Sequence, residues 1–443
     1  MKTFSKVLAV PLTFAVLTAC GNGDNGNGNN ANGDSPNEVT LSFFSTLTEE
    51  TAVNAVEEVI GDFEEEYPHI SIDANFPADA YEDSIRVRMA SNDLPDLFDT
   101  HGWAKNRYGD YVADLSDMDW AENFDESMEP LLKDDEGKVY AFPLNQANDG
   151  IMYNATMLEE LGIELPETVD EWIEAMETIR DETDNDVSPL WIPGNDPYAI
   201  GQILDQFSTP LLVTDEDNNY EEELLDGTFD WSNYTLLPET MMEIKEKDLM
   251  NVDALTASPA QRAQLMAQNL IGFTFADGAF GRDVYELNPD IQVGTMPMPA
   301  FYEGDEPSWI GGERHTIAAS ENSENLEEAK LFIEFMARPD NAKKVAEGTT
   351  LPAGITGVDA DNYYAEFYEK WSHIDIQPYF DRVYLPGGMW DVYATTGSDL
   401  IAESITPEEV SEIMEAEYNR LRRENNEDDT DELNEENEEN EDN

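Results

Sequence analysis

The residues able to do chemistry are few in kind. Four histidines occur, His69, His101, His315 and His373, and no two have the spacing of paired metal ligands. The chain contains no His-Glu-x-x-His, no Gly-x-Ser-x-Gly and no phosphate-binding loop. Its one cysteine is Cys20. Carboxylates are the opposite case: there are 98, against 23 lysines and arginines, for a net charge of −75. Acid pairs of the kind that hydrolyse glycosides therefore occur everywhere and carry no information. Asp215, Asp217, Asn219 and Asp226 partly imitate a calcium loop, but Tyr220 stands where the sharp turn needs glycine. An acidic surface loop is the expected reading, and no catalytic residue, metal or cofactor is expected.

The charge excludes one partner class. Such a surface repels phosphate backbones, so no nucleic acid is expected. The acid is spread along the whole chain, as in an exposed protein of a salty or alkaline habitat, where the screening length falls to about 3 Å at 1 M salt. The N-terminus points outward as well. Lys2 and Lys6 precede an apolar run over 7–16, too short to span a bilayer, and the segment closes on Leu17-Thr18-Ala19-Cys20. That closing tetrapeptide resembles the lipobox of bacterial lipoproteins, which implies a signal peptide over 1–20 and a lipid on Cys20. Residues 21–37, nearly all Gly, Asn, Asp and Ser, read as a flexible tether. With Cys20 lipidated, no disulfide is expected within the chain. Residues 424–443, almost all Glu, Asp and Asn, read as a disordered acidic tail.

Between tether and tail lie about 400 residues, enough for two lobes. The chain's 8 Trp, 18 Tyr and 19 Phe give it the composition of a folded protein. The hydrophobic periods alternate between two and 3.6 residues. Strands are expected over 39–44, 70–76 and 96–98. Between them come helices on Ala52, Val56, Val59 and Phe63, started by a capping box of Thr46 and Glu49, and on Tyr81, Ile85 and Met89. This order implies a parallel sheet with helices on its faces. Strands are expected again at 138–143 and 150–154, joined by a polar stretch over 144–149. Thr168 and Glu171 make a capping box before Val169, Trp172, Ile173, Met176 and Ile179. Further strands fall at 189–192, 270–275 and 317–319. Helices follow at 259–269, on Leu326, Ala329, Ile333 and Met336, and after the cap Thr406-Pro407.

In this order the segments resemble the family-one extracellular solute-binding proteins, the maltose-binding-like group that delivers sugars to ABC importers. The resemblance is carried by Phe63 through Ile72, Met89 through Phe98, Gly137 through Pro143, Tyr153-Asn154, Leu158 through Gly162 and Pro166 through Trp172. In the second half it is carried by Ile271 through Phe280, Gly311-Gly312 and Glu328 through Pro339. It implies a two-lobed α/β fold of the periplasmic-binding-protein type II class, each lobe a mainly parallel sheet flanked by helices. The chain crosses a hinge more than once. One lobe would comprise 38–143 and 312–352, the other 144–311 and 353–423. The expected partners are a carbohydrate in the interlobe cleft, ABC permease subunits, and a membrane reached through the lipid. A monomer on the outer face of a Gram-positive cell membrane is expected.

A sugar site needs flat aromatics for ring faces and polar side chains for hydroxyls. Ligands of open α/β sheets sit beyond the carboxyl ends of the strands. That logic selects Ser45 and Thr46 after the first strand, and Asp99, His101 and Trp103 after the third. The run from Trp191 to Tyr198 resembles the family segment in which an acid, a proline and a tyrosine contact sugar, and selects Asn195, Asp196 and Tyr198. Phe280 stands where the family often has tryptophan, after Asp277-Gly278. Trp390 resembles a stacking tryptophan before the C-terminal helices, and Trp309 and Glu313 flank Gly311-Gly312. Trp172, on a helix stripe, is expected in the core. The same fold could carry a polyamine, metal complex or peptide instead, and a surface enzyme on polysaccharide or an adhesin are further alternatives.

Overall fold

The computed structural model describes residues 38–77, 80–183, 187–276 and 278–441, the stretch 425–441 by its backbone only. The leader, Cys20, the tether over 21–37 and Asp277 lie outside the described residues.

Strand β1 (Val39–Phe44) leads into the helix Glu50–Glu66, β2 (Ile70–Asn75), the helix Tyr81–Ala90 and β3 (Leu97–Phe98), as the periodicity implies. β1 pairs in parallel with both β2 and β3. The expected capping box does not form at Glu50–Glu66. Its N-cap, Glu49, makes no side-chain cap bond, and the Thr46 hydroxyl is drawn instead to Asp99. The box at Thr168 and Glu171 does form, and starts the helix Val169–Glu182.

Two further strands are longer than their hydrophobic runs. β4 (Phe142–Asp149) includes the polar stretch over 144–149, and β9 (Trp309–Ala319) extends eight residues N-terminal of the apolar 317–319. They pair antiparallel along most of their length. This ribbon joins two separate cores. Phe142, Leu144, Ile317 and Ala319 pack in the first, with Leu41, Val59 and Phe332. Ala147, Trp309 and Ile310 pack in the second, with Trp172, Leu204 and Phe273. Between the two cores the ribbon carries the buried polar side chains Asn145, Gln146 and Glu313. Here a Cβ at Gly311 would stand 1.8 Å from the Ala147 carbonyl oxygen, and Gly312 has φ +141°. Both demands explain the glycine pair.

The second sheet has β5 (Ile151–Asn154) between β7 (Ile271–Thr274) and β8 (Val293–Met296), with β6 (Ser188–Trp191) on β7. β10 (Ile376–Pro378) runs parallel to the start of β9 and is a third crossing segment. Parallel pairing holds for β1–β2, β1–β3, β6–β7 and β9–β10. The pairs β3–β9, β4–β9, β5–β7 and β5–β8 are antiparallel. The boundaries expected at 143/144 and 311/312 fall inside the ribbon, and Ile355 packs in the first core.

The last helix, Pro407–Glu441, starts at a capping box of Thr406 and Glu409. Its backbone stays helical through 441, where a disordered tail was expected. No Gly or Pro interrupts 424–441, so nothing local stops the helix. Among the described residues no helix is long and apolar enough to cross a membrane.

Candidate functional site

A cavity of about 620 Å³ opens between the two lobes. Its first-lobe wall grows from β3. The chain leaves that strand through Asp99, whose Oδ1 accepts bonds from the His101 and Thr316 amides at 2.9 and 3.0 Å and from the Thr316 hydroxyl at 3.0 Å. Its Oδ2 accepts from Thr46. Asp99 is fully buried and its acceptor capacity is used, so it positions the loop and does not line the cavity. The loop itself is strained: His101 has φ +46° and Gly102 φ +82°. This reversal turns His101 and Trp103 into the cavity. Arg107 lies 4.6 Å over the Trp103 ring and donates to Glu82 at 2.9 Å. Bonding to His101, with Arg107 and against burial, holds the Glu82 carboxyl below its usual value.

The second-lobe wall comes from two helices. Asp196 caps Pro197–Leu212 by accepting from the Tyr198 amide at 3.1 Å. Tyr198, Gln202 and Asp205 then follow at i, i+4 and i+7, one helix face, and all line the cavity. Trp390 and Asp391 open the helix Met389–Ile401 behind Gly388, at φ +101°. The Tyr198 hydroxyl bonds Asp391 at 3.0 Å, which raises the phenol's pKa.

The floor is made by the crossing segments. Tyr379, after β10, donates to Asp149 of β4 at 2.8 Å, and Arg314 of β9 stands 3.5 Å from the same carboxylate. Burial drives the Tyr379 phenol far up. Arg382 stacks on Tyr379 at 4.1 Å and lies against Gly102, where an added Cβ would meet its Nη1 at 2.1 Å. Asn106 donates to the Arg382 carbonyl at 3.2 Å, so the two lobes touch at the floor.

Of the sequence candidates, the structure brings His101, Trp103, Tyr198 and Trp390 together on this cavity. Ser45 is buried and bonds the Leu47 amide. Thr46 gives its hydroxyl to Asp99 and lies outside the cavity lining, while Leu47, Arg314 and His315 line a smaller pocket of about 110 Å³. Burial pushes the His315 imidazole down to about 3. Asn195 and Asp196 are exposed at the start of their helix, outside the cavity lining. Phe280 is 4 % exposed in the second lobe's core, with Arg262 over its ring at 5.3 Å. Trp309 is also core, edge-on to Tyr368 at 5.6 Å. Glu313 is fully buried in the ribbon, and neither carboxyl oxygen has a hydrogen-bond partner. Burial raises it to about 7, against the pull of Arg382. The acidic loop at Asp215 bonds itself, Asp215 accepting from the Asp217 amide and the Asn218 side chain. No group of three metal-ligating side chains occurs among the described residues.

Sequence reasoning missed Gln202, Asp205, Arg314, Asp381 and Arg382. The first two were within reach, since Tyr198 and the 3.6-residue period select them. The cavity gathers Arg86, Arg107, Arg314 and Arg382, four of the twelve arginines in this acidic chain, beside Glu82, Asp205, Asp381 and Asp391. Aromatic faces, balanced charge and a lining shared by both lobes make a receptor cleft for a neutral, hydroxyl-rich ligand.

The comparisons with known proteins agree. The family model for bacterial extracellular solute-binding proteins matches residues 48–343. The chain belongs to this family. It is 47 % identical over 386 residues to the melibiose/raffinose/stachyose-binding protein MelE of Bacillus subtilis, covering 87 % of this chain and 91 % of that one. A crystal structure of a Bacillus subtilis binding protein in an open conformation matches with a TM-score of 0.83 and 47 % identity, over 87 % of this chain and 98 % of that one. A Bacillus licheniformis sugar transporter in complex with stachyose matches with a TM-score of 0.78 and 55 % identity, over 86 % and 100 %. The fold is thus the two-lobed fold of solute-binding proteins, and the chain is an extracellular sugar-binding component of an ABC importer.

Proposed function

We propose that the protein captures α-galactosides of the melibiose, raffinose and stachyose type between its lobes and hands them to the permease subunits. The carrying observation is the 47 % identity to MelE across nearly the whole chain. The cleft chemistry supports it: Trp103, Tyr198 and Trp390 can cover sugar faces, while Gln202, Asp205, Asp381 and Arg382 can bond hydroxyls. In this reading the lobes comprise 38–143 with 312–352, and 144–311 with 353–423. They move about the β4–β9 ribbon and β10. The receptor works as a monomer, held by a lipid on Cys20 to the outer face of a Gram-positive membrane, in a salty or alkaline medium. It has no catalytic step to perform.

Titration calorimetry of the purified protein with melibiose, raffinose, stachyose and maltotriose tests the ligand. Saturable binding of the three galactosides, with maltotriose much weaker, is expected. Maltotriose binding in their place overturns the assignment. For the anchor, the test is radiolabelled palmitate uptake by expressing cells, lost in Cys20→Ala.

A further inference from the structure

Glu313 is buried where the β4–β9 ribbon passes between the lobes, outside the cleft lining, and neither of its carboxyl oxygens has a partner. Across the ribbon stands Gln146, whose amide donates to Ser127 at 3.2 Å. Leu131, from the helix Glu129–Leu132, lies against the neighbouring Gly312. Two charges act on the carboxyl from other elements: Asp99, from the loop after β3, and Arg382, from the helix Phe380–Val383. The Arg382 Nη1 stands 3.5 Å from the Glu313 main-chain oxygen, yet the guanidinium makes no bond to the carboxyl.

Arg382 also lines the cleft. There it stacks on Tyr379 at 4.1 Å, fits against Gly102 because that residue has no Cβ, and faces Asp205 and Asp381. From that place it does not reach the Glu313 carboxyl, so bonding it requires the guanidinium to leave the cleft wall. A neutral Glu313 makes no such demand. Burial keeps the proton on it up to about pH 7. An ionised carboxylate buried without a partner is costly, and Arg382 is the cation beside it.

We propose that Glu313 competes with the sugar for the Arg382 guanidinium, and so acts as the positioning residue that sets whether Arg382 faces the cleft or the ribbon. The inference rests on the reading of Arg382 as a donor to sugar hydroxyls. Linkage gives the sign. Capture of sugar holds Arg382 in the cleft and favours protonated Glu313. Binding therefore takes up a proton, and affinity falls as pH rises through about 7.

Titration calorimetry with raffinose, or with maltotriose should that be the sugar bound, tests this from pH 6 to 8.5 on wild type, Glu313→Gln and Arg382→Ala. The galactoside reading can thus fail while the competition is still decided. Wild-type affinity should fall about fivefold to twentyfold over that range. Titrations at pH 7 in buffers of different ionisation enthalpy should show net proton uptake on binding. Glu313→Gln should bind within about twofold of wild type at pH 6 and stay level to pH 8.5. Arg382→Ala should bind weakly at every pH, with no fall.

A wild-type affinity that is level or rises with pH overturns the competition while sugar binding stands, and so does proton release in place of uptake. A fall that persists in Glu313→Gln belongs to Asp205 and Asp381 and overturns it as well. Full affinity in Arg382→Ala removes the arginine from the ligand, and with it both that part of the cleft reading and the competition. Melting curves of the free variants show whether each folds. Should Glu313→Gln not fold, Glu313→Met, which fills the same space without a charge, takes its place.

Discussion

Two cavities border the same crossing segment. Ile376, Gln377 and Pro378 face a groove of about 1250 Å³, and Tyr379, Asp381 and Arg382 face the cleft of about 620 Å³. The larger one is lined by Asp125, Glu126, Glu221, Asp305, Glu306 and Asp375, with no lysine or arginine. The smaller one holds four arginines, two tryptophans and four carboxylates. Volume alone would choose the groove. Chemistry chooses the cleft, because aromatic faces beside charges of both signs suit a hydroxyl-rich ligand, whereas exposed like charges are satisfied by water and salt.

The comparison breaks most sharply through Arg382. Arg382→Ala removes a donor and the stacking on Tyr379 at the floor, and is expected to weaken raffinose binding about a hundredfold. Asp375→Asn in the groove should leave it within about twofold. Equal losses from the two would erase the distinction, and calorimetry decides. Trp390→Ala should cost about tenfold to fiftyfold in affinity while the free protein melts nearly as before. A large drop in unliganded stability would make Trp390 a packing residue instead.

The ribbon between the cavities has its own signature. Glu313 has a reference value of 4.5 and is raised by burial to about 7 in the folded chain. Between those values the folded state holds the extra proton. Its stability is therefore greatest below pH 4.5 as far as this group is concerned, falls as pH rises through 7, and is level above. Relative to Glu313→Gln, wild type should lose on the order of 2 kcal/mol between pH 4.5 and 8 in urea unfolding. Parallel curves for the two proteins would refute the burial of a titrating Glu313. The smallest effect is expected at Gly102, where an added methyl displaces the Arg382 guanidinium and strains the backbone. Gly102→Ala should weaken raffinose binding about threefold to tenfold and lower stability by about 1 kcal/mol. Unchanged binding would mean that Arg382 has room to spare.

Much of this was open to reading before any fold was known. The local elements came from periodicity and caps: Val39–Phe44, the helix begun by Thr168 and Glu171, the last helix begun by Thr406. The order of short family-like segments implied two lobes, and the aromatics Trp103, Tyr198 and Trp390 line the cleft. Other choices failed for a common reason. Asp99, Phe280, Trp309 and Glu313 are as polar or as aromatic as ligand residues, and only burial separates them. Asp99 is consumed by backbone and hydroxyl donors, Phe280 and Trp309 by core packing.

The sequence by itself determined whatever depends on neighbours within a few residues. That includes the strands, the amphipathic helices and the acidic charge that excludes nucleic acid. The tertiary structure decided what depends on residues far apart in the chain. A polar stretch over 144–149 became a strand because β9 returned to pair with it. Asp205 and Asp381, separated by 176 positions, became neighbours because the third crossing brought Asp381 back to the helix Pro197–Leu212. Hydrogen-bond pairing and desolvation act across space, so no local pattern announces them.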